Sequence, residues 1–462
     1  MHSPTDFPVS RSIDSGKPWW RELNRYHWFV FVVAALGWLF DTMDQQLFNI
    51  ARRPAMRALL QPSPGVEADK EVVAEYSGYA TSIFLIGWGV GGIGFGIIGD
   101  LVGRVKALLL TILLYSFFTG LSAFSTGFAD FAFYRFLTGL GVGGEFGVGV
   151  SLVAEVMPDR ARPFALGMLQ ALSAVGNITA ALMGVILPYL SRAQVIGDTW
   201  RMMFVIGTVP ALLTFVIIRR LEEPERWQNI AAKKSMRERL GSYGTEIFSE
   251  SRWAKNALIG LLLASSGIIG LWGIGFFSID LQRAIFRARF EAEGLSATEV
   301  TFQEDIWAGF TSMTLNVGGF FGIYAFSRVT HYVGRKLAFA ISFVLAMVST
   351  ALVFWQLKTF GDIFWMIPLM GFCQLALFGG YAIYFPELFP TRLRSSGVSF
   401  CYNGARFIGA AGSSAWGLLT SRVFAGYPEP IRYAGMAMCA VFLVGLVVLP
   451  FAPETKGQPL PE

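Results

Sequence analysis

Twelve apolar stretches of about 20 residues recur along this 462-residue chain. They fall at 28–51, 76–98, 107–126, 128–154, 164–190, 201–219, 256–280, 306–327, 337–357, 363–385, 396–421 and 432–451. A bilayer core about 30 Å thick is crossed by about 20 residues of α-helix. In hydrocarbon every backbone N–H and C=O must find its partner inside the structure, which leaves helices or closed barrels. Barrel strands alternate in polarity every second residue, and these stretches do not. The sequence therefore predicts an all-α membrane protein of twelve spans. Composition agrees: 54% of residues are hydrophobic and 15% charged, too little polar surface for a soluble protein of this length. The three cysteines, Cys373, Cys401 and Cys439, lie in apolar stretches and read as small core residues, not as a disulfide framework or a zinc site. No small-residue cleavage site follows the first stretch, which reads as a retained span.

The net charge of +5 belongs to the loops. With the N-terminus inside, the inner loops and tails hold 23 Lys and Arg against 12 on the other side. An excess of Lys and Arg marks the cytoplasmic side, so both termini are expected there, in a multi-pass protein of the plasma (inner) membrane. The expected organisation is an N-terminal tail (1–27), a six-helix half (28–220), a charged cytoplasmic linker (221–255), a second six-helix half (256–452) and a short tail (453–462). The linker is basic and partly amphipathic, and reads as a solvated helix rather than a lipid or partner site.

An internal repeat supports the division. Glu155-x-x-Pro158-x-Arg160-x-Arg162 after the fourth span recurs as Glu387-x-x-Pro390-x-Arg392-x-Arg394 after the tenth, 232 residues later. Gly103-Arg104 recurs as Gly334-Arg335 at an offset of 231. Two loops agreeing on one offset imply two homologous halves. Halves related by an axis along the membrane normal place a solute site between them near the midplane, exposed to either side by rocking.

At these residues the chain resembles the major facilitator superfamily over essentially its whole length. Gly96-Ile-Ile-Gly-Asp100-Leu-Val-Gly103-Arg104-Val-Lys106 is similar to that family's signature between spans 2 and 3, although Leu101 stands where a basic residue is usual. The second copy is weaker, with Ser327 and His331 in place of Gly and Asp. Arg135-Phe-Leu-Thr-Gly139-x-Gly141-x-Gly143-Gly144-Glu145 resembles the span 4 motif of sugar porters and metabolite:proton symporters, its Gly-Gly-Glu ending being closer to organic-acid symporters. Pro386-Glu-Leu-Phe-Pro-Thr-Arg392 and Pro453-Glu-Thr-Lys-Gly457 are sugar-porter-like. The resemblance implies a cytoplasmic gate of charged helix ends: Asp100, Gly103, Arg104, Glu155 and Arg162 in the first half, with Arg335, Glu387 and Arg394 in the second. Charges so placed can bridge in one conformation and separate in the other. The pattern Gly139-x-Gly141-x-x-Gly144 also fits a dinucleotide-binding loop, but no strand precedes it. Gly139, Gly143 and Gly147, like Gly92 and Gly96, are expected to form flat ridges for close helix packing.

Few ionisable residues lie deep in the spans: Asp41, Asp44, Arg135, Glu145 and Arg406. Each costs about 2.5–3.5 kcal/mol at the centre of a lone helix, so each should face protein or a watery cavity. Asp41 and Asp44, three apart, share a helix face, and neighbouring carboxylates suit the loading and release of a proton. The placement also resembles aromatic-acid:proton symporters. Asp41, Asp44, Glu145 and Arg135 are thus proton-coupling candidates. Arg135 and Glu145 are about 15 Å apart along one helix and are not expected to pair directly. Arg406 offers a planar fork to a carboxylate, either a substrate's or that of Asp41 or Asp44. Gln45, Gln46, Asn49, Gln170, Asn177, Asn316, Gln374, Tyr381, Tyr384, Tyr402 and Asn403 are further substrate-site candidates through hydrogen bonding, and Trp272 through stacking.

The expected function is secondary transport of a small organic solute, an organic acid moved with protons. Alternatives are a sugar or polyol transporter, an uncoupled facilitator, or a transporter-like solute sensor, for which the short tails leave no output domain. No metal-ligand cluster, nucleophile–base pair or cofactor motif points to an enzyme or a cofactor. The partners expected are the solute, protons and lipid; neither nucleic acid nor an obligate protein partner is indicated.

Overall fold

The computed structural model describes residues 18–61, 70–225, 227–229, 248–275, 278–424 and 426–461. The N-terminal tail through residue 17 and residues 230–247 of the linker lie outside the described residues, and so do the expectations that fall on them. Among the described residues the chain is helical and without strands. The first six spans are α1 (Arg25–Leu59), α2 (Lys70–Val102), α3 (Arg104–Ser122), α4 (Phe128–Val156), α5 (Arg162–Arg192) and α6, which is broken into Thr199–Ile206 and Ala211–Arg220. The next is α7, which runs from Ser251–Ile268 through a π-helical turn, Ile269–Ile274, to Ser278–Ala292. Then come α8 (Ala297–Val333), α9 (Arg335–Gln356), α10 (Phe360–Leu388) and α11 (Arg394–Leu418, extended by the π-helical Leu419–Val423). The last is α12, in two pieces, Pro430–Met438 and Val441–Val448. This is the twelve-helix architecture expected from the apolar stretches. Several helices outrun them: α1 reaches Leu59 and α8 spans 37 residues, about 55 Å.

Local chemistry sets the ends. Asn24 caps α1 by accepting from the His27 N–H at 2.8 Å. The Asp130 side chain accepts from the N–H groups of Thr126 and Gly127, at 2.7 and 3.0 Å, at the start of α4. Thr359 and Asp362 cap α10 reciprocally. Each such bond satisfies a donor that the first turn leaves orphaned. Among the described residues, nine of the helices are apolar over a long enough stretch to cross a bilayer by composition alone. The sixth is interrupted, and α8 and α11 carry polar side chains that face the interior.

The first half packs around Leu47, Phe48, Trp88, Ile112, Phe131 and Phe204. The second packs around Phe339, Phe343, Phe385 and Phe442, and its core continues across the seam to Phe146 of α4, stacked on Tyr402 at 3.9 Å. Large apolar side chains such as Phe117, Leu212 and Val447 are more than 60% exposed, an arrangement suited to lipid rather than water. All three cysteines are buried and free.

The glycine ridges divide between two tasks. A Cβ at Gly139 or Gly143 would strike the backbone of α2 at Phe84 and Trp88, so these glycines lock α4 to α2 within one half. Gly92 and Gly96 of α2, and Gly147 of α4, instead face Asn403 and Ser399 of α11 in the other half.

Candidate functional site

Trp19 and Leu460, near opposite ends of the described chain, and the loops after α2, α4, α8 and α10 lie towards one face of the bundle, the terminal face. There the repeat becomes a repeated structure. Arg104 donates to Glu155 through Nε (3.3 Å) and Nη2 (3.0 Å), and to the Gly99 carbonyl five residues back. Arg335 donates to Glu387 through Nε (3.0 Å) and Nη2 (2.7 Å), and to the Thr330 carbonyl five residues back. Arg162 and Arg394 each donate from Nε to the carbonyl eight residues earlier, Ala154 and Pro386, at 2.9 and 3.1 Å.

A third element of the repeat was not singled out in the sequence. Glu223 accepts from the N–H groups of Val105 and Lys106 (3.1 and 3.2 Å), and Glu454 from those of Arg335 and Lys336 (2.9 and 3.1 Å). A carboxylate that follows the sixth helix of each half thus caps the third. Gly103 and Gly334 make the room: their φ values of +128° and +91° exclude ordinary side chains. A Cβ at Gly334 would also lie 2.8 Å from Glu454 Oε2, and one at Gly103 would overlap the Glu223 carboxylate. The offset of 231 from Glu223 to Glu454 was the available signal. The two caps differ electrostatically. Burial pushes the Glu223 carboxyl above its usual range despite its backbone donors. At Glu454 burial also raises the value, but four N–H donors outweigh it and hold the carboxyl below that range.

Between the halves, the terminal face is shut. Asp100 accepts from the N–H groups of Ser395 and Ser396 (3.2 and 2.8 Å) and from the Ser396 hydroxyl (2.6 Å), capping α11 across the seam. Arg394 donates to Glu155 at 2.9 Å and Arg104 to the Thr391 carbonyl at 2.6 Å. The second-half seam lacks the counterpart of Asp100: His331 stands there and packs on Phe164, ring centroids 5.1 Å apart.

At mid-depth lies a central cavity of about 120 Å³ bounded by both halves. Of the residues singled out in the sequence, Gln45, Gln46, Asn49, Gln170, Asn177, Trp272, Asn316, Tyr402 and Arg406 line it. Four do not. Gln374 donates to Thr350, Tyr381 to the Leu263 carbonyl and Tyr384 to the Pro453 carbonyl, so these three brace the second half. Asn403 donates to the Gly143 carbonyl within the closed seam. Thr42, Ser173, Ser278, Gln282 and Thr311 also line the cavity; a lone hydroxyl or amide in a helix carries no sequence signal that separates lining from packing. Asn177 donates to Asn316 at 3.1 Å and ties the halves together there.

Among the described residues no carboxylate lies in ion-pair contact with Arg406. Its guanidinium lies over the Trp88 ring, 3.4 Å from the centroid, and 4.9 Å from that of Tyr402. Asp41 is the carboxylate that acts on it electrostatically.

Asp41 and Asp44 share a face of α1 but meet different neighbours. Asp41 accepts from Gln45 Nε2 at 3.2 Å and has Glu145 as its electrostatic neighbour. Both carboxylate oxygens of Glu145 and Oδ1 of Asp41 are buried without a donor among the described residues. Gly37 makes space for Glu145, since a Cβ there would overlap its carboxylate. Asp44 accepts from Thr119 at 2.8 Å and faces Arg135 at 3.8 Å. Arg135 donates to Ser122 through Nε and Nη2 (3.0 and 2.8 Å) and is boxed by the rings of Phe204, Phe48 and Phe131. A buried, ring-enclosed guanidinium with one carboxylate is a charge pair, apart from the cavity. No group of metal-ligating side chains occurs among the described residues.

The sequence family described as sugar (and other) transporter matches residues 28–245. The twelve-helix fold is that of the proton:xylose symporter of the major facilitator superfamily, solved with 6-bromo-6-deoxy-D-glucose. That likeness has a TM-score of 0.72 at 17% identity and covers 94% of this chain and 98% of that one. The chain has the major facilitator fold, and its first half matches that transporter family. Its relatives include a putative metabolite transport protein of Haemophilus influenzae, 27% identical and covering 95% of this chain and 99% of that one. A probable 4-methylmuconolactone transporter of Cupriavidus pinatubonensis is 26% identical over 91% and 89% of the two chains. A cis,cis-muconate transport protein of Acinetobacter baylyi is 24% identical over 93% and 95%. The superfamily expectation from the loop motifs holds, and these relatives are transporters, not enzymes.

Proposed function

We propose that this transporter carries a small organic acid together with protons, by alternating access. The observation that carries the reading is Arg406: a guanidinium over the Trp88 ring at the cavity wall, with no carboxylate among the described residues in ion-pair contact. Such a fork suits a substrate carboxylate. Among the described lining residues Arg406 is the single Lys or Arg, and amides dominate the remaining polar wall. That balance favours one anchored carboxylate and a far end that takes hydrogen bonds. The muconate and methylmuconolactone names of the relatives point the same way.

Asp41 and Glu145 are the proton site. Buried carboxylate oxygens without donors favour the uptake of a proton. Asp44 and Arg135 neutralise each other and hold α1 to α3 and α4. The terminal face is cytoplasmic, from the Lys and Arg bias, and the closed seam then shuts the cavity from the cytoplasm.

The amide lining and the sugar-porter-like loops favour a second reading, a sugar or polyol transporter. Proteoliposome uptake of labelled acids and sugars, with and without an inward proton gradient, separates the two. Acid accumulation that follows the gradient and falls at least tenfold in Arg406→Met supports the proposal. Sugar uptake indifferent to Arg406→Met overturns it.

A further inference from the structure

Ser395, Ser399 and Asn403 recur every four residues along one face of α11, and Arg406 follows on that face at the cavity wall. The row runs about 17 Å, from the Asp100 contact at the terminal face to the cavity. In this conformation it is sealed. Ser395 meets Gly99, Ser399 meets Gly96 and Gly147, and Asn403 meets Gly92; a Cβ on any of these glycines would collide. All three polar side chains are fully buried. Yet Ser395 Oγ, Ser399 Oγ and Asn403 Oδ1 have no hydrogen-bond partner among the described residues.

Buried polar atoms are nearly always paired, because an unpaired one forfeits its water without compensation. An apolar row would seal against glycine more tightly. Three consecutive exceptions on one face point to another conformation in which those groups are used. A serine hydroxyl and an asparagine amide are also groups that donate to a carboxylate without holding it as a guanidinium does.

We propose that Ser395, Ser399 and Asn403 form the inner leg of the substrate's route. They are a ladder of weak hydrogen-bonding sites from Arg406 to the cytoplasm, shut against the glycines of α2 and α4 here and hydrated when the halves part. The proposal rests on the symport reading for its ligand and on the cytoplasmic assignment of the terminal face for its direction. The same unpaired hydroxyls weaken the closed seam and so keep its opening within reach.

The test is labelling of Ser399→Cys by a membrane-impermeant maleimide in inside-out and right-side-out vesicles. Wild type controls for the three native cysteines. Labelling in inside-out vesicles alone is expected, slowed about tenfold when Ser395→Ala removes one unpaired hydroxyl and stabilises the closed seam. Ser395→Cys gives the same reading if Ser399→Cys does not reach the membrane. A cysteine inert from both sides, in protein that still exchanges solute, overturns the route. So does labelling from the outer side only. Uptake by Ser395→Ala/Ser399→Ala equal to wild type overturns the ladder's role. Labelling needs no substrate, so failure to transport any acid sinks the symport reading alone.

Discussion

Asp100→Asn tests the seam between the halves directly. The Asp100 carboxylate ends three hydrogen bonds from the first residues of α11, at 3.2, 2.8 and 2.6 Å. Those bonds exist only while the terminal face is closed, because Asp100 and α11 belong to different halves. One hydrogen bond to a charged group contributes about 1.5–3 kcal/mol net, and a carboxylate at a helix N-terminus about 0.3–1 kcal/mol more. Asparagine keeps one oxygen for one of the N–H groups, so the closed state loses about 2–4 kcal/mol. The open-to-closed ratio then rises about 30- to 1000-fold. Arg104 loses its 2.9 Å ion pair with Asp100, which lies within one half, and keeps its two bonds to Glu155. Spin labels at Lys106 and Leu337, both exposed in the first turns of α3 and α9, read the separation of the halves by pulsed dipolar spectroscopy. Asp100→Asn should move population from the short to the long distance. An unchanged distribution in folded protein would refute the claim that this carboxylate holds the seam.

Asp41→Asn and Glu145→Gln should each abolish pH-driven accumulation while leaving counterflow exchange. Persistent accumulation in either variant removes that residue from the proton site. Asp44→Asn should instead act on the fold: it leaves Arg135 buried without its carboxylate, a loss of about 3–5 kcal/mol read as a lower melting temperature. Gly103→Ala should destabilise by about 2 kcal/mol, since it combines a positive-φ strain with a collision on Glu223; an unshifted melting temperature would show that the cap yields freely. At Glu454 the folded value is lowered, so its contribution is complete above the ordinary glutamate range and fades as pH falls through the folded value. The melting-temperature gap between wild type and Glu454→Gln should therefore hold at pH 7 and narrow below about pH 4.

Helix number and the halves were legible because the bilayer imposes a length and the repeat an offset. The loop arginines and glutamates were legible too, as charges at helix ends. What hydropathy conceals is which way a residue points on a helix that is apolar all round. Gln374, Tyr381 and Tyr384 of α10 looked like cavity groups, yet they bond to neighbouring helices and to the chain after α12. Asp41 and Asp44 differ by one step of about 60° around the helix, enough to send one toward Glu145 and the other toward Thr119. Gly92 and Gly96 carry the same small-residue signal as Gly139 and Gly143, although one pair lies on the seam between the halves and the other within one half. Spacing reports that two helices approach closely; it does not report whether they stay together.

The five ionisable side chains deep in the spans also set an electrical balance. Asp41, Asp44 and Glu145 carry one more formal charge than Arg135 and Arg406 offset. Under the proposed symport, one proton makes the empty carrier neutral, and the carrier loaded with one anion needs a second. A full cycle then moves one anion and one proton and no net charge. The membrane potential, worth about 2.3 kcal/mol per charge at 100 mV, does no work on such a cycle. Accumulation would follow the pH gradient alone, about tenfold per pH unit, and collapsing the voltage with a potassium ionophore would leave it unchanged.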